Sequence, residues 1–115
     1  MCANAQIVEL PTAAQIERAV ETLRMLGDPV RFKILWALLH GEQSVSRLAE
    51  FVNAQPAAVS QHLAKLRLSK LVTTRRAGNR IFYTANNVHV RKLLEESLFH
   101  ADHVEQGLPD HEPTR

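Results

Sequence analysis

The chain has 115 residues, enough for one domain with a single modest core, and 45% of them are hydrophobic. No apolar run approaches the ~20 residues a membrane span requires, and no basic segment followed by an apolar core marks a signal peptide. The lone cysteine, Cys2, excludes an intramolecular disulfide framework and fits a reducing compartment, so the cytoplasm is expected.

Residues 1–11 read as a flexible N-terminal segment. Pro11 and Thr12 open a first amphipathic helix, with Ile16, Ala19, Val20, Leu23 and Leu26 at three- and four-residue steps and Gly27 at its end. Asp28-Pro29 is a cap followed by a proline at the first helical position. The helix after it, Val30 to His40, is apolar on most sides and should be the buried centre, ending at Gly41. Ser44 caps a third helix with Val45, Leu48, Ala49 and Val52 inward. After the turn Asn53-Ala54 comes a fourth helix from Gln55 to Leu68, opened by Pro56, with Val59, Leu63, Leu66 and Leu68 inward.

Leu71 to Arg76 and Arg80 to Thr84 are β-prone, joined by Ala77-Gly78-Asn79, where glycine and asparagine supply the positive φ of a hairpin turn. Asn86 or Asn87 caps a last helix through about Val104. Gly107, Pro109 and Pro113 interrupt regular structure beyond it. The predicted architecture is mainly α with a β-hairpin wing, a dimeric winged helix-turn-helix in the order α-α-α-α-β-β-α. Its folded domain spans 12–105, and 106–115 form a flexible tail that could add metal ligands.

The formal net charge of +2 conceals a strong segregation. From Phe51 to Leu94 there are eight Lys or Arg and no acid; from Glu95 to Glu112 there are six acids, three histidines and no Lys or Arg. A basic, acid-free middle suits a surface that neutralises phosphates. An acidic, histidine-bearing end suits a divalent cation.

Two helices joined by so short a turn match the helix-turn-helix, whose second helix enters the major groove. Ala57, Ala58, Ser60 and Gln61 keep the front of the fourth helix small or amide-bearing, so it can approach base edges. Gln61 can make a two-point contact to adenine, and Ser60 or His62 can bond a base or phosphate. Arg75, Arg76 and Arg80 bracket the hairpin tip, beside the DNA backbone or minor groove. No catalytic constellation is present: Ser60 and His62 stand two apart on a helix and do not face each other. No glycine-rich phosphate loop exists, so neither an enzyme nor a small organic substrate is expected.

The last helix carries His89, His100 and His103. At ~100° per residue, His100 sits about 20° from His89 and His103 about 40° to the other side, so the three share a face. Eleven residues at ~1.5 Å rise put His89 and His100 roughly 16 Å apart, too far to share an ion within one chain. An antiparallel partner helix solves this, bringing His89 of one subunit to His100 and His103 of the other, twice, by two-fold symmetry. Asn87, two residues before His89, stands where a fourth ligand would lie.

The segments LGDPVRFKIL, SVSRLAE, AAVSQHLAKLRLSKLV and RRAGNRIFY resemble the ArsR/SmtB family of small homodimeric metal-responsive repressors, over roughly Glu21 to Gly107. The tail is most similar to the family's nickel- and cobalt-responsive members. The resemblance implies base contacts by Ala57, Ser60 and Gln61, and backbone contacts by His62, Lys65 and the wing arginines. The DNA-facing set is then Gln55, Ala57, Ser60, Gln61, His62, Lys65, Arg75, Arg76 and Arg80. It also implies the same placement of His89, His100 and His103, with Asn87 standing where relatives usually have aspartate.

A neutral amide is a weaker ligand than a carboxylate, so a site completed from elsewhere is favoured, by Asp102, His111 or Glu112. Asp102 and His111 match tail positions of nickel and cobalt sensors. Extra ligands would suit Ni²⁺ or Co²⁺ over Zn²⁺. Thiol-based members carry paired cysteines on the third helix, where this chain has SVSRLAE, which argues against arsenic, cadmium or lead. Lys70 departs from the glycine many members have before Leu-Val, a change expected to be tolerated. The implied function is a repressor that binds double-stranded operator DNA as a homodimer and is released by Ni²⁺, Co²⁺ or Zn²⁺, controlling metal efflux or homeostasis genes. The alternatives are a repressor of the same family answering a non-metal signal, or a metal-independent protein- or RNA-interaction module.

Overall fold

A computed structural model describes residues 8–85 and 87–107. Helix α1 (Ala13–Leu26) opens on a reciprocal capping box. Thr12 Oγ1 accepts the Gln15 N–H at 3.1 Å, and Gln15 Oε1 accepts the Thr12 N–H at 2.9 Å. Asp28 starts α2 (Pro29–Leu39) with a side-chain cap of its own, its Oδ2 accepting the N–H groups of Val30 and Arg31 at 3.0 Å. Pro29 sits where a helix has no use for an N–H. Helix α2 sends Ile34, Leu35 and Leu38 into the core, the central role its all-round apolarity predicts.

Helix α3 (Val45–Val52) buries Leu48, Ala49 and Val52. It ends on Asn53 in the left-handed region (φ 56°), and the Ala54 N–H reaches back to Ala49 O at 3.0 Å. Asparagine tolerates that conformation, so the chain reverses within three residues and enters α4 (Pro56–Leu68). Val59, Leu63 and Leu66 of α4 are fully buried. Each such side chain contributes about 1.5–3 kcal/mol by leaving water.

Leu68 corrects the expectation. It is 84% exposed, because at ~100° per residue it stands about 160° from Leu66 and in line with Ala57, Gln61 and Ala64 on the outer face.

The first strand also starts later than expected. Leu71 and Val72 are buried anchors, with the Leu71 N–H bonded to Leu66 O at 2.9 Å, closing the end of α4 instead of pairing in the sheet. Strand β1 (Thr73–Ala77) then pairs antiparallel with β2 (Arg80–Thr84) in the register Ala77↔Arg80. The loop is Gly78-Asn79, and only Gly78 takes a positive φ, of 66°. A single positive φ at the first loop position is the type II′ pattern, so the glycine alone meets the requirement predicted for both residues. At its base the hairpin joins the α2–α3 connection: Gln43 and Tyr83 exchange N–H···O bonds of 3.1 and 2.8 Å.

Helix α5 (Val88–Gln106) is capped by Asn87, whose Oδ1 accepts the Val90 N–H at 3.0 Å, and it ends at Gly107 with φ 69°. The alternative cap, Asn86, lies outside the described residues. Val90 and Leu94 seat α5 in the core, and Arg91 Nη2 donates to Leu39 O at 2.6 Å, satisfying a carbonyl at the end of α2. Helix α1 buries only Met25 and Leu26, leaving the stripe Ile16, Val20, Leu23 uncovered. Among the described residues no helix is long and apolar enough to cross a membrane.

Candidate DNA interface and metal-ligating face

The outer face of α4 is built by subtraction. Its core positions take Val59, Leu63 and Leu66, and the rotation of the helix leaves Ala57, Ser60, Gln61 and Lys65 exposed. Gln55, the residue before the helix, is exposed too and makes no side-chain cap, so the first N–H groups are not taken up by its amide. Between α4 and β2 lies a cleft of about 510 Å³ lined by Ser60, Arg67, Lys70 and Tyr83. It carries two cations and no acid. Lys70, at the mouth of this cleft, has φ 63°. That is the left-handed conformation, which glycine takes without strain and a side chain does not.

The wing arginines divide. Arg75 does not project freely: Nε donates to Glu42 Oε2 at 2.6 Å, Nη2 donates to Glu42 Oε1 at 2.8 Å, and its guanidinium lies 5.0 Å from the Phe82 ring centroid. The bond from Arg75 holds the Glu42 carboxyl below its usual value, and the carboxylate raises Arg75 in return. Arg80 lies 5.4 Å from the same ring centroid, and Arg76 is exposed on β1. His62 is half-buried, its Nδ1 3.3 Å from Arg31 Nη1. His40 bonds Trp36 O through Nδ1 at 2.8 Å.

Sequence periodicity missed Glu42 and Arg31. Both act across more than thirty residues of chain (Arg75–Glu42 and Arg31–His62), which no helical or strand repeat can register. The scarcity of acids was the one available signal: only Glu42 and Glu50 are acidic between Asp28 and Glu95.

On α5, His89, His100 and His103 lie on one continuous helix, so their predicted alignment on a shared face follows from its regularity. His89 and His100 are exposed and His103 half-buried. Leu93 and Val104 emerge on the same side, also uncovered. Among the described residues of one chain, no three His, Cys, Asp or Glu side chains gather closely enough to hold an ion. The two other described candidates are already engaged. Asn87 Oδ1 caps α5, and Asp102 Oδ1 accepts from Gln106 Nε2 at 2.8 Å. Asp102 also stands about 140° around the helix from His89, away from the trio. His111 and Glu112 lie outside the described residues, as does Cys2.

Residues 28–74 match the bacterial regulatory protein, arsR family. The HTH-type transcriptional regulator KmtR of Mycobacterium tuberculosis is 48% identical over 97 residues, covering 84% of this chain and 75% of that protein. Among solved structures, the antimony-specific transcriptional repressor AntR superposes with a TM-score of 0.77 at 30% identity, over 92% of this chain and 99% of that one. The homodimeric winged helix-turn-helix DNA-binding domain of Mb0332 from Mycobacterium bovis gives 0.74 at 26% identity, over 87% and 93%.

Proposed function

The chain belongs to the bacterial ArsR family of regulatory proteins, and on that footing we propose that it is a metal-responsive transcriptional repressor. It binds operator DNA as a homodimer and lets go when Ni²⁺, Co²⁺ or Zn²⁺ occupies sites between the subunits. The observation that carries this reading is the uncovered face of α5, where three histidines interleave with Leu93 and Val104. Apolar side chains left in water call for a partner surface, and the stripe Ile16, Val20, Leu23 on α1 extends that need. Imidazole nitrogens suit these three ions, so the donor set fits. His89 of one subunit would act with His100 and His103 of the partner subunit. The two α4 helices would read half-sites one duplex turn, ~34 Å, apart.

Ligands that join two α5 helices make their occupancy sensitive to the spacing of the subunits, and hence of the two α4 helices. Coupling of this kind is typically ~1–3 kcal/mol and reciprocal, so DNA weakens metal binding by the same factor. The test is fluorescence anisotropy on duplex DNA from the gene's own upstream region, apo and then with each of the three ions at fixed salt. Apo binding that one ion abolishes, with His103→Ala binding DNA but no longer responding, is the expected result. A His103→Ala chain that loses DNA binding makes that histidine structural. The second reading, a family repressor answering a non-metal signal, draws support from Asn87, a neutral amide already occupied in capping. Tight, stoichiometric metal binding rejects it.

A further inference from the structure

Arg31 touches three helices. Its Nε donates to Met25 O at 2.8 Å and its Nη2 to Arg24 O at 3.3 Å, closing the last turn of α1, while its own backbone lies in α2. The remaining nitrogen, Nη1, is 3.3 Å from His62 Nδ1 on α4. A guanidinium has donors only and stays charged throughout the range in which proteins fold. The ring nitrogen that faces it must therefore offer a lone pair, which leaves the imidazole proton on Nε2. Nε2 is on the opposite edge of the ring, and no partner holds it among the described residues. His62 also stands about 100° around α4 from Gln61, on the flank of the exposed face. The flank of a helix lying in the major groove runs beside the phosphates. The acidic neighbour, Asp28, caps α2 through Oδ2, and its charge and that of Arg31 act on the His62 ring in opposite directions.

We propose that Arg31 is a positioning residue for DNA binding: it fixes His62 as a neutral imidazole whose Nε2–H donates to a backbone phosphate oxygen. This rests on the operator-binding reading. Because the same guanidinium grips the end of α1, the aim of the His62 donor is tied to the position of that helix.

Three variants of the full chain and one spectroscopic measurement test this. Long-range ¹H–¹⁵N NMR of histidine-labelled protein at neutral pH should show His62 protonated on Nε2 alone, and Arg31→Met should turn that signal into a mixture of tautomers. Arg31→Met also opens the α1 turn, so the decisive arm uses His62. In His62→Asn the amide oxygen still accepts from Arg31 but no donor reaches the Nε2 position; in His62→Gln a donor is restored there. On fluorescein-labelled duplex from the gene's own upstream region, His62→Asn should bind about tenfold more weakly and His62→Gln should recover most of that loss. A neutral donor displaces no counterion, so the slope of log K against log salt should not change in His62→Asn.

A slope shallower by about 0.9 would mean that a cationic His62 meets the phosphate, and would overturn the assignment. Wild-type affinity in His62→Asn, or a proton on Nδ1 in the wild type, would overturn it as well. A wild-type chain that binds no duplex defeats the operator reading and the donor role together, while the nitrogen shifts still report whether Arg31 sets the tautomer.

Discussion

Glu42 holds Arg75 by a two-point hydrogen-bonded ion pair, 2.6 and 2.8 Å, across thirty-three residues of sequence. Together with the Gln43–Tyr83 exchange directly beside it, this pair ties the wing to the loop between α2 and α3. The wing is thus anchored at its base and along β1, with Arg76 and Arg80 nearer its tip.

The pair has a direct consequence for binding. Glu42→Gln removes a negative charge next to the wing and loosens Arg75. If the wing lies along the duplex, log K against log salt should steepen by about 0.9 as one further cation reaches a phosphate. Anisotropy titrations at several salt concentrations measure this, and an unchanged slope would mean Arg75 has no phosphate within reach.

Acid should weaken the fold through two carboxylates. The Arg31 backbone N–H, more than any other group, holds Asp28 below its usual 3.8, and Arg75 holds Glu42 below 4.5. A carboxyl depressed in the folded state stabilises it above the unfolded pKa, and that stability disappears as pH falls through the folded value. The melting temperature should therefore be level near neutrality and drop below about pH 4. Asp28→Asn keeps a good cap while flattening part of that drop. Asp28→Ala should cost about 1 kcal/mol at neutral pH, read by urea denaturation at fixed protein concentration.

Lys70 carries a strain that glycine would relieve. A side chain at φ 63° costs about 1–2 kcal/mol, offset in part by the greater freedom glycine has in the unfolded chain. Lys70→Gly should raise stability by about 0.5–1 kcal/mol, seen as a higher denaturation midpoint with the same m-value. A loss of stability would show that the lysine side chain makes up the backbone cost elsewhere.

Leu63 and Leu68 are matched leucines on one helix with opposite surroundings, fully buried and 84% exposed. Leu63→Ala should cost about 2–5 kcal/mol and Leu68→Ala less than about 0.5. Because Leu68 lines the cleft beside the wing, its substitution should register in DNA affinity before it registers in unfolding.

Most of the elements follow from residues that are neighbours in the chain. Thr12, Asp28, Ser44 and Asn87 each became the cap their chemistry suggests, Gly78 turned the hairpin, and the 3.6-residue repeat of α4 put Ser60 and Gln61 outside. These are local facts, fixed within four or five residues by backbone hydrogen bonds and side-chain rotation. The same repeat placed three histidines on one face of α5. Which charges stay available on the surface is settled by packing instead. Arg75 looked like Arg76 and Arg80 until Glu42 came beside it, and His62 looked like one more polar residue until Arg31 claimed one of its nitrogens. A side chain's availability depends on neighbours brought close by the packing of α2 against α3, α4 and the wing, and that packing is set by the summed burial of the whole core, not by any local pattern.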